Sequence, residues 1–241
     1  MASDPMEQFQ IKPIVPLEVA GFDISFTNSA LWMVISIAFS SVLLLVSMRK
    51  RAMIPSGGQL IAESLYMTIA NMIRDNVGPD GRRYFPFIFT LFMFLLVGNL
   101  QGLIPGSFTY TSHVAVTFAL AAFIFVVVTV LGFIKNGAGY LRMFFPHGAP
   151  LWTAVILVPI EVVSYFSRPF SLAVRLFANM TVGHVLLKVI AGFVIAMGFA
   201  GIVPLLGLIA ITAFEILVAT IQAYVFTILS CVYLNDALHG H

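Results

Sequence analysis

The chain has 241 residues, 60% of them apolar and only 9% charged, with a mean hydropathy of +1.03. A water-soluble domain carries roughly 25% charged residues, so this composition excludes a soluble globular protein and describes a helical membrane protein of several spans. The net charge of +2 is spread over loops, which leaves no footprint for nucleic acid, and the single cysteine, Cys231, excludes an internal disulfide and a cysteine-based metal site.

Residues 1–29 hold Asp4, Glu7, Glu18 and Asp23 together with three prolines. They have no basic start of the kind a signal peptide needs, and read as an irregular polar segment outside the membrane. Residues 30–48 form an apolar run long enough to span. The cluster Met48-Arg49-Lys50-Arg51 stops it, and the positive-inside rule places that end in the cytoplasm. Residues 55–77 open on Pro-Ser-Gly-Gly and then alternate at helical spacing. Leu60, Ile61, Leu65, Ile69, Met72 and Ile73 are apolar, whereas Glu63, Asn71, Arg74 and Asp75 are polar. That pattern predicts an amphipathic helix lying on the cytoplasmic surface rather than a span. Gly78-Pro79-Asp80-Gly81 is a turn, and Arg82-Arg83 keep the start of the second span, about residues 84–104, on the same side.

Pro105 to Ser112 is a short uncharged outer loop, and residues 113–134 make the third span. Lys135 and Arg142 return the chain to the inside, where Gly137-Ala138-Gly139 and Phe144-Phe145-Pro146-His147 break the helix before about residue 151. Two long segments follow, roughly 151–197 and 201–235. Each exceeds the ~20 residues that cross a bilayer, so both must tilt strongly or bend. Pro159, Pro169 and Pro204 offer places to bend. The expected fold is all-α and polytopic: five membrane-crossing helices plus one amphipathic surface helix, the last two forming a long tilted hairpin over 151–235. The N-terminus lies outside and a short tail, 236–241, inside. No internal repeat is present, so an inverted-repeat transporter is not supported.

The two long segments contain few ionisable residues: Glu161, Arg168, Arg175, His184, Lys188 and Glu215. A guanidinium cannot shed its charge, and at the centre of a bilayer helix it costs about 2.5–3.5 kcal/mol on insertion scales. Such a charge calls for a partner or a water-filled path. Glu161, Arg168 and Arg175 are seven apart and share one stripe of a helix, with Ser164, Ser171 and Asn179 near it. The stripe reads as the wall of an aqueous path or a polar contact with another subunit. The alternative is an intramembrane Glu–Arg pair that only fixes packing. In a hairpin turning near 198–200, His184 and Glu215 reach comparable depth, on the outer side of Arg175. Imidazole beside a carboxylate can load and release a proton near neutral pH, though a hydrogen-bonded structural pair fits the same placement. Gln222 is seven after Glu215 and shares its face, closer to the depth of Arg175. Lys188 snorkels near the outer end, His113 and His147 sit at span boundaries, and His239 and His241 are too sparse to hold a metal. No Walker motif, nucleophile elbow, dinucleotide-binding glycine pattern or zinc-protease motif is present. The chain is not expected to bind a nucleotide, a metal or another cofactor, and its residues suit the movement of a small cation.

Leu-Ala-Val-Arg-Leu-Phe-Ala-Asn-Met, residues 172–180, resembles the signature of the a-subunit family of the F-type ATP synthases, the membrane stator of a rotary motor. Phe-Glu-Ile-Leu-Val-Ala-Thr-Ile-Gln-Ala-Tyr-Val-Phe-Thr-Ile-Leu, residues 214–229, is a second match, and the likeness extends over about residues 5–238. The resemblance implies that Arg175 faces the carboxylates of the rotating c-ring and that Asn179 lines the same contact. It implies that His184, Glu215 and Gln222 border a half-channel open to the outer side, with Glu161 toward the inner one. Many bacterial relatives carry the acid and the histidine the other way round; here the pair is exchanged, as in mitochondrial and alphaproteobacterial relatives, which preserves the contact and leaves open which member serves the ring. The implied partners are the c-ring, peripheral-stalk subunits of the b type, other membrane-sector subunits and lipid. The implied location is a bacterial inner membrane, or a mitochondrial inner membrane for an organelle-encoded copy. A stand-alone transporter using Arg175 for an anionic substrate is the competing reading, and a structural membrane scaffold is a third.

Overall fold

The computed structural model describes residues 9–239 except 17, 20, 21, 24, 50, 51, 56, 105 and 145–153. His147, His241, Lys50 and Arg51 therefore lie outside the described residues, as does the side chain of Arg142. Six α-helices follow one another: α1 (Asn28–Ser47), α2 (Gly58–Asn76), α3 (Phe85–Gly102), α4 (Val114–Asn136), α5 (Ala154–Ala196) and α6 (Ile202–His239). Short 3-10 turns cover Pro79–Tyr84, Tyr110–Ser112, Gly137–Phe144 and Gly198–Gly201. Among the described residues five segments are long and apolar enough to cross a membrane, containing α1, α3, α4, α5 and α6; α2 is not among them. The protein is an all-α, polytopic membrane protein.

Before α1 the described residues include four short strands. β1 (Pro13–Val15) pairs antiparallel with β4 (Phe26–Thr27), and β2 (Glu18–Val19) with β3 (Phe22–Asp23), as one hairpin nested inside another. Asn28 ties this segment to α1: its Oδ1 accepts from the Lys12 N–H at 3.1 Å and its Nδ2 donates to the Gln10 carbonyl at 3.0 Å. The Thr27 hydroxyl caps α1 by accepting from the Ala30 N–H at 3.3 Å.

Each span crosses in the opposite sense to the one before, which gives the bundle two chemically different ends. Arg49, Arg74, Arg82, Arg83 and Lys135 gather at the basic end, and the loop 103–113 and the α5–α6 turn mark the other. The central helix is α3, which packs on α1 and α6, while α4 packs on α5 and α6. Leu95 of α3, Ile124 of α4, Leu176 of α5 and Phe226 of α6 are fully buried together. Close approach at the far end of α3 requires Gly98, where a Cβ would collide with the Tyr110 hydroxyl; that hydroxyl donates to the Phe94 carbonyl at 2.9 Å. α2 buries Ile69, Met72 and Ile73 against the bundle and exposes Leu60, Ile61 and Met67.

The α5–α6 hairpin has 43 and 38 residues in its arms and turns at Gly198–Gly201, with Gly198 at φ +53°. At 1.5 Å per residue the arms are about 65 and 57 Å long, roughly twice a ~30 Å hydrocarbon core, so neither can stand upright in a bilayer. α5 continues as one helix through Pro159 and Pro169, and Pro204 falls in the first turn of α6, where a missing N–H is harmless. α6 also absorbs the expected tail, running to His239.

Near the basic end the arms are pinned by an ion pair. Arg168 Nη1 donates to Asp236 Oδ2 at 2.8 Å, and its guanidinium lies 5.6 Å from the Tyr165 ring centre and 5.3 Å from that of Tyr233. About three-quarters of each charged side chain is buried. Removing one member of a buried pair strands the other charge, whereas replacing both with apolar groups does not. Asp236→Ala is therefore expected to lower the thermal midpoint of the purified chain in detergent more than Arg168→Leu/Asp236→Leu does, with a coupling of about 1–3 kcal/mol. Equal losses would mean that the pair contributes nothing to holding the arms together.

Candidate functional site: a polar line between the two long helices

Antiparallel register in the hairpin brings the predicted residues to matching depths. Asn179 of α5 donates from Nδ2 to Gln222 Oε1 of α6 at 2.9 Å. One to two turns farther from the basic end, His184 Nδ1 lies 3.8 Å from Glu215 Oε1. The spacing of seven between Glu215 and Gln222 keeps both on the face of α6 that meets α5, and both are buried, 4% and 3% exposed. His184 is 6% exposed. Its other ring nitrogen, Nε2, is 3.0 Å from the Thr109 hydroxyl. When Thr109 donates to Nε2, the ring proton sits on Nδ1 and points toward Glu215.

Gly183 makes room for this arrangement: a Cβ there would collide with the Glu215 carboxylate. Both carboxylate oxygens of Glu215 are buried without a hydrogen bond. Nearby, Asn99 of α3 is fully buried, donates from Nδ2 to the Ala219 carbonyl at 3.2 Å, and leaves its Oδ1 unbonded; Gln222 Nε2 is likewise unbonded. Such buried, incompletely satisfied polar atoms are costly in an apolar interior. They cluster along one line from Asn179 to Thr109, which ends at a recess of about 450 Å³ lined by Gly102, Thr109, His184, Lys188 and Thr212. A carboxylate and an imidazole in contact, with water-sized space on one side, are equipped to take up and pass on a proton.

The remaining predicted residues fall outside this line. Arg175 is exposed on the flank of α5, sharing a face with Asn179, Val182 and Leu186, all exposed. It makes no hydrogen bond or ion pair with any described residue. The three residues of the stripe, Glu161, Arg168 and Arg175, have different surroundings. Arg168 is taken by Asp236, while Glu161, half-buried two turns nearer the basic end, has no hydrogen bond or ion pair among the described residues. Along α5, Glu161 is about 21 Å from Arg175 on the basic side and His184 about 14 Å on the other, at 1.5 Å per residue.

Sequence reasoning passed over Asn99 and Thr109. Asn99 had a signal: it is one of two amides, with Gln101, in an otherwise apolar helix. Gln101 serves a different contact, its Oε1 accepting from the Ser36 hydroxyl at 2.9 Å. Thr109 had no signal, because only the return of the 103–113 loop over α5 brings it to His184.

Residues 30–235 match the ATP synthase A chain family. The chain is 61% identical over 246 residues to ATP synthase subunit a of Paramagnetospirillum magneticum, covering 99% of this chain and 100% of that protein. It is 56% identical over 238 residues to ATP synthase subunit a of Rhodospirillum rubrum, covering 98% and 99%. The protein of the same description from Parvibaculum lavamentivorans is 51% identical over 246 residues, covering 99% and 95%. An arginine on an open apolar flank, a buried amide and acid–imidazole line beside it, and likeness over the whole length agree: the chain belongs to the ATP synthase A chain family.

Proposed function

We propose that the chain is the proton-conducting stator subunit of a rotary F-type ATP synthase in a bacterial inner membrane, with the basic end of the bundle facing the cytoplasm. In this reading it forms two offset half-channels against the c-ring and couples proton flow to rotation. The observation that carries the reading is Arg175, a permanent cation exposed on an apolar helix flank without an ion-pair partner among the described residues. A charge so placed in a bilayer is supported only by a partner on another subunit or by water.

The chemistry is electrostatic. A proton enters from the outer side through the recess at Thr109, passes by way of the His184–Glu215 pair, and neutralises a carboxylate on the ring. The neutral acid can face lipid; the carboxylate cannot, because an unpaired charge in a low dielectric is too costly. After nearly a full turn the site meets the inner half-channel near Glu161 and releases its proton. Arg175 attracts the ionised carboxylate and repels a hydrated cation, which prevents a direct leak between the half-channels. Asn179, bonded to Gln222, holds the wall beside Arg175. Each charge crossing 100 mV delivers about 2.3 kcal/mol, so several must pass for every ATP made elsewhere in the complex. The apolar faces of α1 and α5 are left for lipid, peripheral-stalk subunits of the b type and other membrane-sector subunits.

Arg175→Ala is expected to stop ATP-driven proton pumping and ATP synthesis while the complex still assembles, and to open a passive leak at the contact with the ring. Inverted vesicles of the variant that quench a pH dye normally on addition of ATP would sink the proposed function.

Glu215→Gln and His184→Ala are each expected to slow proton flux less completely, since water can partly substitute in a hydrated channel. Exchanging the two, as His184→Glu/Glu215→His, should recover more flux than the single losses predict. The readout is flux into reconstituted liposomes under an imposed potential; strict additivity would show that the two groups do not act through contact.

A further inference from the structure

We propose that the groove between the end of α2 and the start of α3 binds one anionic phospholipid, with its phosphate between Arg74 and Arg82 and an acyl chain along Tyr66 and Phe85. The groove measures about 590 Å³ and joins two kinds of surface: the guanidinium side chains of Arg74 and Arg82, and an apolar wall of Tyr66, Ala70, Phe85 and Pro86. The wall is braced by ring packing, with Tyr66 and Phe85 at 4.6 Å between centres and Phe85 stacked on Phe89 at 5.4 Å. A phospholipid divides its chemistry in the same way, an anion at one end and a hydrocarbon at the other.

The local charges leave the groove positive. Asp80 is engaged by Lys135, Nζ to Oδ2 at 3.0 Å. Asp75 meets Arg74 at 3.3 Å, but both side chains are well exposed, and a surface pair of that kind is weak. Arg82 and Arg83 form no hydrogen bond or ion pair with described residues. The position is also right for a headgroup, because the groove lies where an amphipathic helix meets the first turn of a span. Basic side chains at such a place attract anionic lipid by roughly fivefold in affinity for each guanidinium. A free phosphate would gain from the charges but leave the apolar wall unused.

The test uses the assembled complex in phosphatidylcholine vesicles containing a minor fraction of phosphatidylglycerol with a photoactivatable diazirine on its acyl chain. Adducts are mapped by peptide mass spectrometry. Labelling is expected within residues 66–86, displaced by unlabelled phosphatidylglycerol but not by phosphatidylcholine or inorganic phosphate. Arg74→Gln/Arg82→Gln should reduce it by roughly fivefold for each guanidinium removed, and Arg74→Lys/Arg82→Lys should keep most of it. Equal labelling by a phosphatidylcholine probe, or unchanged labelling in the neutral double variant, would overturn the proposal. Displacement by inorganic phosphate would overturn the lipid assignment in favour of a soluble anion. Competition between lipid classes is read on the native chain, so the result stands even where a variant fails to assemble.

Discussion

The guanidinium of Arg175 is a permanent cation, and no carboxylate among the described residues pairs with it. Arg168, seven residues earlier on the same helix, shows what a satisfied arginine looks like here: it bonds Asp236 at 2.8 Å between two tyrosine rings. Arg168 closes the hairpin near its base, and Arg175 is left exposed, without a hydrogen bond or ion pair among the described residues. An assembly in which a partner carries an ionisable acid past this point gives the charge a use.

The register of α5 against α6 places Arg175 between two residues that α6 engages, Arg168 and Asn179. The turn at Gly198–Gly201 sets Asn179 opposite Gln222 and His184 beside Glu215. Those contacts, with Arg168–Asp236, fix α5 against α6, and Arg175, on the same stripe as Arg168 and Asn179, stays exposed beside them. A register slip would break all three at once. Gly183 is part of the same constraint, since any side chain there would displace the Glu215 carboxylate. The long arms also separate the titratable groups in depth, Glu161 and His184 lying on opposite sides of Arg175.

Much of the fold was legible because the bilayer reduces it to lengths of apolar chain. The five spans, the unusual length of the last two helices and the turn near 198–200 follow from runs of Leu, Ile, Val and Phe interrupted by glycine and proline. The nested hairpins over 13–27 were hidden, because they depend on Asn28 reaching back to Gln10 and Lys12 rather than on strand periodicity. In the candidate site, spacing of seven on α6 and the position of the turn were enough to bring His184 to Glu215. On the stripe of Glu161, Arg168 and Arg175, α6 supplies Asp236 to Arg168, a pairing that spacing along α5 does not encode. Thr109 and Asn99 reach the line through tertiary packing of the 103–113 loop and α3, which no local pattern encodes.

We propose that Arg175 separates two half-channels that open to opposite sides. Single cysteines at Glu161 and His184, in a Cys231→Ala background, can be probed in the assembled complex with membrane-impermeant thiol reagents or silver ions added to one face at a time. Position 161 is expected to react from the cytoplasmic face and position 184 from the opposite face. Equal reaction of both positions from both faces would describe one continuous pore, in which Arg175 divides nothing and proton flow could not be tied to rotation.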